Sequence, residues 1–352
     1  MSRDQIEIHT SVGPLATDWD ELALRTGGSP FARPGWFSSW LGAFGADGFE
    51  VLALRRDGRL AAVLPILAGR RAVRSVTNWH TPRFELVAED DTARRTVFAA
   101  LCERRPRRID LSFLDAADAD ELRAAWGPAP TNSRTLWDSP YVVVDQAWDT
   151  YWQGLSKNLR SSVRRRRKGL EAKGAVEVEV CDGGEGLHVL LEECFRLEAG
   201  GWKGERGTAI NSNPETLRFY TALAEWAAGS GLLNLSLLRL DGRIIAFNYS
   251  LESGRRHYMM KLGHDVQLSA LSPGTVLTAA MVERAFEVGL ESYEFLGNPD
   301  RYKLQWATGS RRRVRLQLFA RSPAGYADRF VQTKGRTTAI AARDHLRRVR
   351  RG

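Results

Sequence analysis

Residues 257–306 read HYMMKLGHDVQLSALSPGTVLTAAMVERAFEVGLESYEFLGNPDRYKLQW, and the order of elements within them decides the fold class. The aromatic and apolar run from His257 to Gly263 reads as a strand. A loop ending in Ser272-Pro273-Gly274 comes next, then a helix over Thr275–Val288, a second strand at Ser292–Phe295, and a glycine turn into a polar, aromatic segment. A helix start leaves backbone N–H groups unpaired, so the loop opening onto this one suits an anion.

Upstream, AVEVEV (175–180) alternates as a strand does, and HVLLEECFRLEAGGWKG continues as a helix running into a loop. The segment LEAGGWKGERGTAI (197–210) brings together Glu198, a glycine pair, Trp202, Lys203 and Thr208. A loop that carries a carboxylate, an ammonium and an aromatic is a candidate binding surface. Asn213 and Pro214 then open an amphipathic helix. Three strands come after it, joined by Asp241-Gly242 and by Glu252–Gly254, and this meander feeds the opening stretch. RRRVRLQLFAR (311–321) supplies a last strand.

The first part of the chain alternates helix and strand. Thr17 or Asp18 reads as a helix N-cap, with Glu21 placed to complete a capping box for Asp18, and Phe37, Trp40, Leu41 and Phe44 recur at helical spacing as a core face. Asp57-Gly58 between two apolar runs signals a hairpin. No glycine-rich phosphate loop occurs here, so residues 1–144 read as a scaffold domain, residues 145–325 as the domain carrying the site, and residues 326–352 as a basic tail. One helix is expected from Trp148 to Gly174. Its Lys157, Arg160, Arg164 and Lys168 share a basic face, and Leu155, Leu159, Val163 and Leu170 form the face that packs inward.

Among 352 residues the net charge is +9. The excess gathers at Arg160–Lys168, at Arg311–Arg315 and after Lys334, which fits a polyanionic partner or a solvated arginine-rich face. Cys102, Cys181 and Cys194 form no CxxC and the six histidines no HExxH, so neither a disulfide framework nor a metal is expected. The start has no apolar signal segment and no window has the apolar length of a membrane span; a cytoplasmic protein without integral membrane contact is expected.

WKGERGTAI, DGRIIAFNYSL, LSPGTVL and LGNPDRYKLQW, in that order, resemble the CelD-like branch of the GNAT acyltransferase superfamily and, more distantly, FemAB-type aminoacyltransferases. SPFARPGWFSSW and RRDGRLAAVLPIL resemble the first domain of that branch. The resemblance implies an α/β fold of two tandem GNAT-like domains, each a mostly antiparallel twisted sheet flanked by helices. It also implies an N-acyltransferase, with acetyl-CoA or another acyl-CoA as donor and an amine of an amino sugar or of a cell-envelope or polysaccharide precursor as acceptor. The alternatives are an aminoacyl-tRNA donor and a non-catalytic accessory of polysaccharide synthesis.

In this scheme Glu198 is the candidate base, Lys303 the candidate oxyanion stabiliser and Tyr302 a candidate acid. Lys261, Ser272, Gly274 and Thr275 are the candidates for binding the donor. Trp202, Lys203, Thr208, Asn248 and Tyr258 are the candidates for the acceptor. The usual Q/R-x-x-G-x-G/A pyrophosphate loop is absent, and Ser272-Pro273-Gly274 stands in its place.

Overall fold

The computed structural model describes residues 4–45, 47–201, 207 and 209–333. Their contacts form two compact units, one of residues 4–22, 47–136 and 313–333 and the other of residues 23–45 and 137–312. The boundary expected at residue 144 does not coincide with this division. The aromatic helix Pro34–Phe44 belongs to the second unit, and the chain returns to the first after residue 312.

In the first unit, strands Asp4–His9, Phe49–Arg56, Arg59–Ala68 and Ala72–Ser75 pair antiparallel in that order. A helix, Asp91–Glu103, then leads to Arg108–Asp115, which lies parallel to Ala72–Ser75. Residues 313–319 close the row antiparallel. The Asp57-Gly58 hairpin is present, with φ of 51° and 80°, the two positive angles that a tight two-residue turn demands. Asp18 lies inside its helix, which starts at Ala16, and binds Arg55 at 2.8 Å instead of capping. Arg313 pairs with Asp115, Arg315 with Asp110 at 2.6 Å, and Arg108 with Asp328 at 2.8 Å. Residues 323–329, part of which was expected to begin a tail, are therefore helical and bound to their own unit.

The second unit contains helix α1 (Pro34–Phe44), strand β1 (Thr131–Val143, from residue 137 on) and helices α2 (Trp148–Gly154) and α3 (Lys157–Glu171). Next come β2 (Val176–Cys181), α4 (Leu187–Ala199) and α5 (Pro214–Gly229). The meander β3 (Leu233–Leu240), β4 (Arg243–Ser253) and β5 (Arg256–His264) leads to α6 (Pro273–Glu287), β6 (Ser292–Glu294) and the short α7 (Arg301–Leu304). The strand order is β2-β3-β4-β5-β6-β1, antiparallel except for the parallel pair β5 and β6. This mixed α/β pattern repeats that of the first unit: four antiparallel strands, a helical crossover, a parallel pair.

The single helix expected from Trp148 breaks at Leu155, whose ψ is 153°, because Ser156 accepts the N–H of Leu159 and starts α3 afresh. Leu159, Val163 and Leu170 are buried with Leu277, Met281 and Val282 of α6, as the apolar spacing requires. Each such side chain contributes about 1.5–3 kcal/mol of burial. Asn213 caps α5 through the N–H groups of Glu215 and Thr216. On the other side of the sheet, α1 packs on α5 through Trp36 and Phe219, ring centroids 5.2 Å apart, and Phe31 just before α1 stands edge-on to Trp36 at 4.9 Å.

Gly35 lets those two helices meet, since a Cβ there would lie 1.9 Å from Nε1 of Trp226. Gly35→Ala is expected to lower stability by about 1–3 kcal/mol through overpacking. Urea unfolding measures this, and an unchanged midpoint would show that α1 does not rest on Trp226.

Candidate functional site

The site begins where a sheet stops pairing. β5 and β6 pair over three residues only: Arg256 with Ser292, His257 with Tyr293, and Tyr258 with Glu294. Just beyond, Tyr249 of β4 faces Lys261 while Ser250 faces Met259, so Met260 is an extra residue on β5. Such a bulge bends a strand and increases its twist. On the other arm, Leu296 and Gly297 have φ of 54° and 61°, which turns the chain out of the sheet. Ser139 Oγ donates to the Gly297 carbonyl at 3.1 Å and holds the turn.

The strands therefore part, and the wedge between them is a cavity of about 1160 Å³. Residues 259–264 of β5 form one wall, and Phe295 with residues 298, 300–303, 305 and 306 another. Ser272, Gly274, Thr275 and Thr278 border it from α6, Glu198 from the end of α4, and Asn158, Ser162 and Arg166 from α3.

Glu198 is buried, and its Oε2 accepts the Ile210 N–H at 2.9 Å. Lys261 lies nearby, with its ammonium 5.1 Å from the Tyr220 ring centre. Burial pushes the Lys261 pKa below its ordinary value, and the Glu198 charge opposes that shift. A carboxylate and an ammonium in one poorly hydrated pocket are the groups a proton-transfer site uses.

Lys303 is buried, and its Nζ lies 2.9 Å from the Leu296 carbonyl, 3.2 Å from the Asn298 carbonyl and 3.2 Å from Asp300 Oδ2. Three acceptors match the three N–H groups of an ammonium, so Lys303 clamps the 296–303 turn. Tyr302 lines the cavity and is 39% exposed as a residue; burial around the phenol, and then Asp300, raise its pKa.

At the helix start, α6 begins at Pro273 after Ser272, whose φ is 41°, and Ser272 Oγ donates to the Ser269 carbonyl. The Thr275 N–H is bound to the Ser272 carbonyl at 2.9 Å. A Cβ on Gly274 would stand 3.3 Å from Leu262, so this glycine also serves close packing of α6 on β5.

Two expected acceptor contacts lie elsewhere. Tyr258 is a core aromatic, edge-on to Phe31 at 5.3 Å. Asn248 is fully buried, and in register it faces Leu262 rather than Lys261, which points to the other side of the sheet. Trp202, Lys203 and Thr208 lie outside the described residues. The basic face expected on α3 is also rearranged. Arg160 Nε binds the Leu155 carbonyl at 3.1 Å and Arg164 sits over Trp152, while the row Asn158, Ser162, Arg166 reaches the cavity.

Among the described residues, no helix is long and apolar enough to cross a membrane, and no group of three or more His, Cys, Asp or Glu side chains is placed to hold a metal.

Residues 157–304 match the profile of a family described as Acetyltransferase (GNAT) domain. That span runs from the start of α3 to the end of α7 and so encloses most of the cavity wall. Among solved structures, the chain is similar to FemX at 13% identity, with a TM-score of 0.57 over 88% of this chain and 96% of that one. It is similar to the C-terminal domain of a protein from Agrobacterium fabrum designated a lysylphosphatidylglycerol synthetase, at 11% identity and a TM-score of 0.57, covering 92% and 96%. L-PGS from Bacillus licheniformis gives 12% identity and a TM-score of 0.51, covering 81% and 91%. At such identities these structures show the fold alone. No curated protein sequence matches the chain. The match over residues 157–304 makes the protein an enzyme of the acyltransferase class; nothing singles out the CelD-like branch.

Behind the closed end of the wedge, His257 is stacked on Tyr293 at 4.5 Å, and its Nδ1 lies 2.9 Å from Glu252, which also binds Arg284 at 2.6 Å. Burial holds the His257 pKa below 6.5 although Glu252 pulls it upward. Burial also pushes the Glu252 carboxyl up, but His257 and Arg284 outweigh it and hold that pKa below 4.5. The unfolded chain thus takes up a proton at residue 257 before the folded chain does. The stability from neutral His257 is complete above about pH 6.5 and is lost as pH falls toward the lowered folded value. Unfolding free energy should fall by up to about 1.4 kcal/mol per pH unit per proton between pH 6.5 and 5.5. His257→Gln should flatten that slope, and an equal slope in the variant would exclude His257 as its source.

Proposed function

We propose that the protein is a cytoplasmic N-acyltransferase that moves an acyl group, acetyl in the first instance, from acyl-CoA to the amine of an amino sugar or of a polysaccharide or cell-envelope precursor. Both units are read as GNAT-like domains on the strength of their shared strand pattern, the second holding the donor. The observation that carries the reading is the wedge. It offers a β5 edge parted from β6, a helix start and a buried carboxylate within one cavity, inside the span of the acetyltransferase family match.

Beyond Tyr258, β5 makes no ladder pair with β6, and the amide-bearing arm of a CoA thioester lies along that edge as a strand would. The amine attacks the thioester carbonyl, the C–N bond forms, and the C–S bond breaks. Glu198 takes the amine proton, directly or through a water, and Tyr302 gives one to the departing thiolate. Lys261 stands beside Glu198, and Lys303 fixes the turn that carries Tyr302. A second reading, an aminoacyl group delivered on tRNA, is favoured by one observation, the exposed cations Arg164, Arg165, Arg167 and Lys168 on α3.

Glu198→Gln keeps an acceptor for the Ile210 N–H and removes the base. Turnover with acetyl-CoA and an amine acceptor should fall by about 10²–10⁴, with the rise in melting temperature on adding acetyl-CoA retained. Full turnover in the variant removes Glu198 from the chemistry. A melting temperature that answers to charged tRNA and not to saturating acetyl-CoA transfers the donor assignment to the second reading.

A further inference from the structure

The cavity holds a feature that acyl transfer as described does not use. Asn158, Ser162 and Arg166 recur every four residues, so they form one row along α3 that spans about 12 Å of its length. All three border the cavity. The row is set in place by the buried Leu159, Val163 and Leu170 behind it. It is also set by Gly169, where a Cβ would stand 2.7 Å from Leu271, two residues before α6 begins.

The charges on the cavity wall do not balance. Its cations are Arg166, Lys261, Arg301 and Lys303, and its carboxylates are Glu198 and Asp300. Asp300 pairs with Lys303, and Glu198 is the charge that Lys261 feels. Arg166 and Arg301 have no carboxylate partner among the described residues. The other arginine-rich run is spent internally: Arg311 binds Glu294, Arg312 binds Asp138, and Arg315 binds Asp110. Two uncompensated guanidinium groups therefore face one cavity, and a guanidinium fork matches a pair of phosphate oxygens.

We infer that Arg166, with Ser162 one turn away on the same row and together with Arg301, binds a phosphoryl group of the ligand that fills the cavity. The inference rests on the reading of this wedge as the substrate site. It also accounts for the weak anion loop, because Pro273 offers no N–H at the start of α6 and the cation comes from α3 instead. The phosphoryl group belongs either to the donor or to a phosphorylated acceptor, and both present the same oxygens.

Calorimetric titration of the full chain with inorganic pyrophosphate and with CoA tests this. The wild type should bind pyrophosphate, and Arg166→Gln should weaken that binding about tenfold or more. Arg165→Gln removes the same charge from an exposed neighbour outside the cavity wall and should change it by less than about twofold; unchanged melting temperatures show that both variants fold. Competition between pyrophosphate and CoA assigns the site to the donor, and simultaneous binding assigns it to the acceptor. Equal pyrophosphate affinity in Arg166→Gln and wild type, equal losses in the two variants, or no pyrophosphate binding by the wild type would each overturn the inference. Pyrophosphate held through Arg166 by a protein that ignores CoA leaves the phosphoryl site standing and removes acyl-CoA as donor. CoA bound without regard to Arg166, with pyrophosphate ignored, does the reverse.

Discussion

The site depends on one interruption of hydrogen bonding. β5 and β6 share three residue pairs and then separate, although parallel strands gain from every further pair they make. The Met260 bulge bends one strand away, and the left-handed pair Leu296 and Gly297 turns the other out of the sheet. A left-handed leucine costs about 1–2 kcal/mol. Two hydrogen bonds to the turn's own carbonyls hold it there: Lys303 binds that of Leu296 and Ser139 binds that of Gly297. Removing the clamp would let the wedge close, so Lys303 matters to the shape of the cavity before it matters to any charge that develops there.

The wedge also sets the electrostatics. Its floor is the face of the meander on which Lys261 lies over Tyr220 and Tyr249 donates to the Tyr220 carbonyl at 3.0 Å. Glu198 is brought there from α4 and tied to Ile210. Lys261 is buried and feels the Glu198 charge, so a proton passed between substrate and Glu198 alters the balance at Lys261. The opposite border is cationic and open, through Arg166 and Arg301. On the proposed function, one cavity joins a proton-handling end to an anion-handling end, the division of labour that a charged acyl carrier and an amine require.

Much of the second unit is legible in the sequence because local chemistry and tertiary structure agree. Asp241-Gly242 takes the two positive φ angles, 49° and 78°, that its hairpin needs, and Pro273 stands at the first position of α6. The candidates Glu198, Lys261, Gly274 and Lys303 all border the cavity. The rest is decided by register and partners. The Met260 bulge has no side-chain signature, yet it separates the faces of Asn248 and Lys261. On α3, Leu159 and Val163 fix the buried side but not which polar flank looks into a cavity, so Arg160 and Arg164 stand out in the sequence and Arg166 does not. The run Arg311–Arg315 reads as free surface charge because Glu294, Asp138, Asp115 and Asp110, which neutralise it, are far away in sequence. Helix α1 reads with its sequence neighbours, whereas its aromatic face belongs against α5.

The central claim is that an acyl donor occupies the wedge and pairs with the opened edge of β5. Hydrogen exchange of the full chain with and without acetyl-CoA, followed on peptides that cover residues 259–264 and 295–306, tests it most directly. Exchange should slow in both segments when the donor is present, because the ligand supplies the partners that β6 does not. Bound acetyl-CoA that leaves both segments unchanged and protects another part of the chain would contradict it.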